Sequence, residues 1–327
     1  MVFKRLLGSI GVGGPAVDTV LTSGAVPPGG SLTGEVHLKG GNTDFGIEHI
    51  TLELVARVEA ETDDGEHDGT VVFERFTVGG GFRLAEGEER GVPFTVTLPW
   101  ETPISVLHGQ PLGIVLGVRT ELGVAGAKDK GDLDPFSVRP LPVQEAILEA
   151  FGQTGFGFRS ADLEYGRIGG TGQQLPFYQE IELTPAPQYA QAVNEIEVTF
   201  LATPGGMEVV LEADKRGGLL TGGHDALTRF TVSRHDVEYT DWNAEVDGWV
   251  RHLVEHRSGY GSHSLYGHGD THHGEGHGHR SGPGVGTVVA AGAAGLAVGV
   301  VGGMVAAEAV DEIGDFMEGD EDEGDEG

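Results

Sequence analysis

Cysteine is absent from all 327 residues. That excludes disulfide staples, Cys-ligated zinc, iron–sulfur clusters and thiol nucleophiles, and it suits a reducing compartment. Basic residues are scarce: 20 Lys and Arg stand against 51 Asp and Glu, a formal net charge of −31 with His neutral. A chain of this sign lacks the cationic footprint that neutralises phosphates, so no nucleic-acid partner is expected. The acidic bias fits salt adaptation and solubility equally. Catalytic signatures are missing too. There is no Gly-x-Ser-x-Gly elbow, no Walker loop, no His-Glu-x-x-His and no dinucleotide fingerprint between a strand and a helix. Gly8-x-x-Gly11-x-Gly-Gly14 is glycine-rich, but no strand precedes it and Pro15 follows, so it carries no phosphate-site expectation. No catalytic residue and no cofactor is expected.

What the chain does have is period-two patterning from about Ala16 to Arg234. In His49–Glu61, Ile50, Leu52, Leu54, Ala56, Val58 and Ala60 alternate with a largely charged set that includes Glu53, Arg57 and Glu59. Successive strand side chains point to opposite faces, so this run predicts one apolar and one charged face. Similar runs are Ser31–Lys39, Thr70–Val78, Pro93–Leu98, Gly113–Leu122, Glu180–Thr184, Glu195–Leu201, Glu208–Ala213 and Arg229–Ser233. Turn chemistry such as Pro27-Pro-Gly-Gly30 and Pro204-Gly-Gly206 separates them. The expected class is mainly β: two linked antiparallel β-sandwiches, 1–138 and 139–236. The boundary is read at Asp132–Pro142, whose prolines remove ladder donors; Pro142 then opens a short helix, Val143–Phe151.

Residues 237–256 change period. Trp242, Val246, Trp249, Val250, Leu253 and Val254 recur at helical spacing behind Asp241, a suitable N-cap. This amphipathic helix must dock its apolar face, on the second sandwich or on a partner. A His/Gly-rich linker (257–283), a Gly/Ala segment (284–307) and an acidic disordered tail (308–327) are expected beyond it. At the other end, Met1–Gly14 mimics a signal peptide only superficially. Its apolar run is short and broken by glycine, so a short helix packed on the body is expected.

Three groups of residues are candidates for chemistry. His268, Asp270, His272, His273, Glu275, His277 and His279 offer imidazole and carboxylate ligands to Zn or Ni, with adventitious affinity as the simplest expectation. Lys128–Asp134 offers Asp129, Asp132 and Asp134 to a hard cation, yet it lacks the glycine and distant Glu of an EF-hand, so a solvated loop is expected. Thr287, Ala291, Gly295, Gly299, Gly303 and Ala307 recur every fourth residue, a small-residue strip suited to close helix approach. At about 1.5 Å per residue the zipper helix would span a bilayer core. It therefore offers membrane association, self-association into a homo-oligomer, or a plain spacer.

Several strings resemble the bacterial sporulation-control family called sporulation stage zero M. They begin with Phe3-Lys-Arg-Leu-Leu-Gly-Ser-Ile-Gly-Val-Gly13, Val17-Asp-Thr19 and Pro28-Gly-Gly30, and continue with Leu98-Pro-Trp-Glu-Thr-Pro-Ile-Ser105 and Ala127-Lys-Asp-Lys-Gly-Asp-Leu-Asp134. Leu175-Pro-Phe-Tyr-Gln-Glu-Ile-Glu182, Glu195-Ile-Glu-Val-Thr-Phe200 and Val210-Leu-Glu-Ala-Asp-Lys-Arg-Gly217 complete the set. The resemblance spans about residues 1–236. It implies an arrestin-like fold, no catalytic activity, and a regulatory adaptor that binds other proteins in the cytoplasm. It does not reach the His tract, the small-residue strip or the tail.

Overall fold

The computed structural model describes residues 13–62, 65–125, 130–215, 226–233, 237 and 239–261. They form a mainly β protein. The first half contains β1 (Ala16–Leu21), β2 (Ser31–Lys39), β3 (Phe45–Thr62), β4 (Gly65–Gly79), β5 (Phe82–Leu84), β6 (Glu89–Thr97), β7 (Val106–Leu107), β8 (Gln110–Pro111), β9 (Leu116–Val124) and β10 (Lys130–Pro135). Strands β1, β2 and β6 make one antiparallel sheet; β10, β9, β3, β4 and β5 belong to the sheet facing it. The alternation in β2 is read out directly: Leu32, Val36 and Leu38 are buried between the two layers.

The charged face of β3 is less exposed than its alternation predicts. Glu53 is fully buried, because its direct cross-strand neighbours are Arg75 on β4 and Arg119 on β9. The Arg119 Nε donates to Glu53 Oε2 at 2.7 Å, and Arg75 donates to the other oxygen. Two guanidinium groups therefore replace the water this carboxylate gives up.

Residues 130–135 correct a second expectation. The Asp-rich stretch is not a solvated loop but strand β10, paired antiparallel with β9 from Lys130↔Leu122 to Pro135↔Gly117. Pro135 ends the strand, where a missing donor costs nothing.

The second half contains helix α1 (Pro142–Gln153), then β11 (Gly157–Tyr165), β12 (Phe177–Thr184), β13 (Val193–Ala202), β14 (Gly206–Lys215) and β15 (Ala226–Ser233), then helix α2 (Trp242–Gly261). Pro142 is the first residue of α1, and the Gln144 side chain accepts the Leu141 backbone N–H at 2.8 Å. The five strands are consecutive antiparallel neighbours, and β11 joins β3 through a parallel pair, Glu164↔Glu59, so the sheet runs on from the first half.

In this half the described strands belong to one sheet. Among the described residues, helices cover the sheet's apolar face. Ile181, Val198, Val209 and Leu211 are buried on that face, and α1 and α2 bury Ile147, Phe151, Val246, Trp249, Val250 and Leu253 in the same core. Trp249 stacks on Phe230 of β15 with centroids 4.9 Å apart. Asp241 caps α2 by accepting the Ala244 N–H at 3.2 Å. The amphipathic stripe of α2 is thus spent on the protein's own sheet, at about 1.5–3 kcal/mol per buried side chain.

Candidate functional site

The seven metal-ligand candidates from His268 to His279 and the strip Ala291, Gly295, Gly299, Gly303 and Ala307 lie outside the described residues. Of the Asp-rich group, Asp132 and Asp134 are described. They sit at alternate positions of β10 and so share a face. Asp132 Oδ2 accepts the backbone N–H of Thr19 on β1 at 2.7 Å. Burial, with the charges of Asp132 and Asp18, pushes the Asp134 carboxyl up to about 8. Burial also pushes the Asp132 carboxyl up, against the lowering effect of its bond from the Thr19 N–H. Asp134 is thus the carboxyl of the pair pushed furthest toward its neutral form, while Asp132 supplies the acceptor that ties β1 to β10.

Three of the strings that carry the family resemblance, Pro28–Gly30, Leu98–Ser105 and Leu175–Glu182, meet in space, and the polar groups where they meet are spent on packing. Gly30 N–H bonds to Pro27 O at 2.9 Å, closing a turn in which Gly29 has φ +69°. A Cβ on Gly29 would lie 2.6 Å from the Trp100 ring. The Glu101 carboxylate accepts the backbone N–H groups of Gln174 at 2.7 Å and Leu175 at 2.9 Å. The Gln179 side chain clasps Ile104, accepting its N–H at 3.0 Å and donating to its carbonyl at 2.8 Å. The segment 98–105 thereby clamps the first half onto strand β12 of the second.

The sheet face opposite the helices presents carboxylates. Asp162 and Glu180 are direct cross-strand neighbours, as are Glu197 and Glu212, while Glu182 opposes Glu197. Oxygens of Asp162, Glu164 and Glu180 lie within 4.8 Å of one another, and so do those of Glu180, Glu197 and Glu212. Burial comes first in pushing Glu180 up to about 9, followed by the charges of Glu197, Asp162, Glu164 and Glu212. Burial likewise raises the neighbouring Tyr178 hydroxyl, followed by the charges of Glu180, Glu164, Glu212 and Glu197. Such a set of hard oxygens has the chemistry to hold either a proton or a divalent cation of the Ca²⁺ or Mg²⁺ type. Arg159 reaches the edge of the row, pairing with Glu182 at 3.5 Å and with Glu195.

Sequence reasoning missed this row. Each carboxylate reads as the solvent side of an alternating strand, and only the strand order lines them up. The available signal was the repetition of Glu at alternate positions in successive runs: Glu180 and Glu182, then Glu195 and Glu197.

A second mixed group lies at α1. Residues 107–110 form a tight hairpin turn in which His108 has φ +50° and Gly109 φ +77°. His108 Nδ1 lies 3.3 Å from Glu145 and Nε2 3.7 Å from Glu149. The two carboxylates lie nearest different ring nitrogens, and one ligand atom from each of the three residues lies within 4.8 Å of the others. Beside this group the hairpin, α1, β11 and β12 enclose an apolar recess of about 100 Å³.

Comparison with known proteins gives a consistent picture. The model of the SpoOM protein family, Spo0M, matches residues 3–217. The sporulation-control protein spo0M of Bacillus subtilis (strain 168) is 36% identical over 252 residues, which cover 75% of this chain and 95% of that protein. The crystal structure of Spo0M from Bacillus subtilis superposes with a TM-score of 0.63 at 33% identity, covering 75% of this chain and 99% of that one.

Proposed function

We infer function from the premise that this chain belongs to the Spo0M sporulation-control family. The role is regulatory. The chain works as a non-enzymatic adaptor that binds other proteins in the cytoplasm, with the β body as the docking platform. The observation that carries this reading is the 36% identity to a sporulation-control protein over 95% of that protein's length. The use of the resemblance strings for packing supports it, since Gly29, Glu101 and Gln179 hold the platform together.

The test is affinity isolation of the tagged full chain from its native cell. Reproducible recovery of the same protein partner, lost on unfolding the platform by a core substitution, is the expected result. Recovery of no specific partner, together with an unchanged phenotype on deletion, would overturn the reading.

The four-residue repeat from Ala291 to Ala307 favours an added attachment function, in which residues 284–307 associate with a membrane or with a second copy. Among the described residues no helix is long and apolar enough to cross a membrane. Gly299→Leu should reduce self-association while raising hydrophobicity; a wild-type chain that is wholly monomeric and absent from the membrane fraction would exclude this attachment. The His268–His279 tract supports a third reading, as a Zn or Ni ligand set. Replacing all seven ligand residues should abolish most Zn uptake by the full chain, and undiminished uptake would eliminate the tract.

A further inference from the structure

We propose that the apolar recess between the β7–β8 hairpin and helix α1 receives an aliphatic side chain from a basic amphipathic segment of a partner protein. This rests on the adaptor reading and gives it a place and a chemistry. The recess of about 100 Å³ is lined by Leu107 and Leu112 from the hairpin segment, Leu148, Phe151 and Gly152 from α1, and Phe158 from β11. Water's share of the liquid is about 30 Å³, so the space equals about three waters, or one side chain. Its lining is apolar, so water inside gains few hydrogen bonds. Phe158 is 49% exposed at the mouth, a large apolar surface left in water.

The rim selects the sign of the partner. Glu145 and Glu149, four residues apart on α1, share one face of the helix, and their side chains are 42% and 48% exposed. The His108 ring, 52% exposed, is the group now between them. An aliphatic side chain entering the recess would bring its flanking residues over these carboxylates. Lys or Arg there gains charge-assisted bonds, whereas Asp or Glu is repelled. The formal charge of −31 attracts the same class of partner at longer range.

Gly152 provides a clean probe. A Cβ built there meets nothing within 4 Å. A leucine at this helical position projects into open space next to the recess and raises helix propensity.

The test uses the folded full chain, fluorescence anisotropy and three synthetic peptides at physiological ionic strength. One peptide is an amphipathic helix with a Leu face and a Lys face; the second replaces Lys with Glu, and the third replaces Leu with Ser. The wild-type chain should bind the first and neither of the others. Gly152→Leu should weaken that binding about ten-fold, as should Phe158→Ala and the pair Glu145→Gln with Glu149→Gln. The remote pair Glu89→Gln with Glu255→Gln, also exposed carboxylates, should leave it unchanged. Unchanged binding by both Gly152→Leu and Phe158→Ala overturns the proposal. So does equal binding of the Ser peptide, or an equal loss with the remote pair, since either result reduces the contact to bulk charge. If the native partner is still captured by Gly152→Leu, this site falls and the adaptor reading stands.

Discussion

Asp132 on β10 accepts the backbone N–H of Thr19 on β1 at 2.7 Å, across 113 residues of chain. The edge of the small sheet is thus fixed to the edge of the large one by a single carboxylate, beside a buried hydroxyl pair, Thr19 Oγ1 and Thr120 Oγ1, 2.7 Å apart. Asp132→Ala removes the acceptor from a half-buried amide and should cost about 1–3 kcal/mol in denaturant unfolding. Asp132→Asn keeps an oxygen for Thr19 and should cost less. Equal losses would show that the bond contributes nothing specific.

Glu180 makes stability depend on pH in an unusual direction. Its carboxyl, ordinarily near 4.5, is pushed up to about 9, so the folded chain holds this proton more tightly than the unfolded chain does. The contribution is fully present below about 4.5 and is lost as pH rises through about 9. Glu180→Gln removes the titration. The variant should gain on wild type steadily from pH 5 to pH 9, reaching about 1–2 kcal/mol. A difference independent of pH, measured by urea unfolding, would refute the crowding argument.

The two arginines on Glu53 are unequal partners. The Arg119 side chain is 19% exposed and that of Arg75 is 65% exposed. Arg119→Ala leaves a buried carboxylate with one mobile partner and should destabilise by about 3 kcal/mol or more. Arg75→Ala should cost under about 1 kcal/mol, because water can follow the exposed guanidinium out. Thermal unfolding of the two variants decides the order.

Gln179 holds both backbone groups of Ile104. Gln179→Ala strands an N–H and a C=O next to a fully buried side chain and should cost about 2–3 kcal/mol. The loss should appear as faster hydrogen exchange at Ile104 before global unfolding. Gln179→Glu keeps one acceptor and should be intermediate.

Gly29 faces the Trp100 ring in a left-handed conformation. Gly29→Ala brings a Cβ to 2.6 Å from that ring at φ +69°, and should cost about 2 kcal/mol or more. A shift in Trp100 fluorescence should accompany it. Gly87 at φ +65° has nothing within 4 Å of a built Cβ, so Gly87→Ala isolates the backbone part of the cost.

Much of the architecture is legible in the sequence where one face of a strand is apolar. β2 has the bounds its alternation gives, and β3 is recognisable over most of its length. β11 is not, because its two faces carry Ser160, Asp162 and Glu164 against Ala161 and Leu163, too little contrast to mark a strand. β10 hides for a related reason: Asp132 and Asp134 look solvated until β1 is laid over them. The two covering helices are legible from their own spacing, Val143–Phe151 and the stripe from Trp242 to Val254, whereas the strands they cover do not say what packs on them. The carboxylate row and the recess at Phe158 require strand order and the α1 docking site, which are products of long-range packing.

The crowded carboxyls also change what folding exchanges with the solvent. Glu180 and Asp134, with values pushed up to about 9 and about 8, retain protons at neutrality that the unfolded chain gives up. At these two sites the native molecule is therefore less negative than the formal count makes it. Refolding at neutral pH takes up protons at these carboxyls, so its calorimetric heat must vary with the buffer's own ionisation enthalpy.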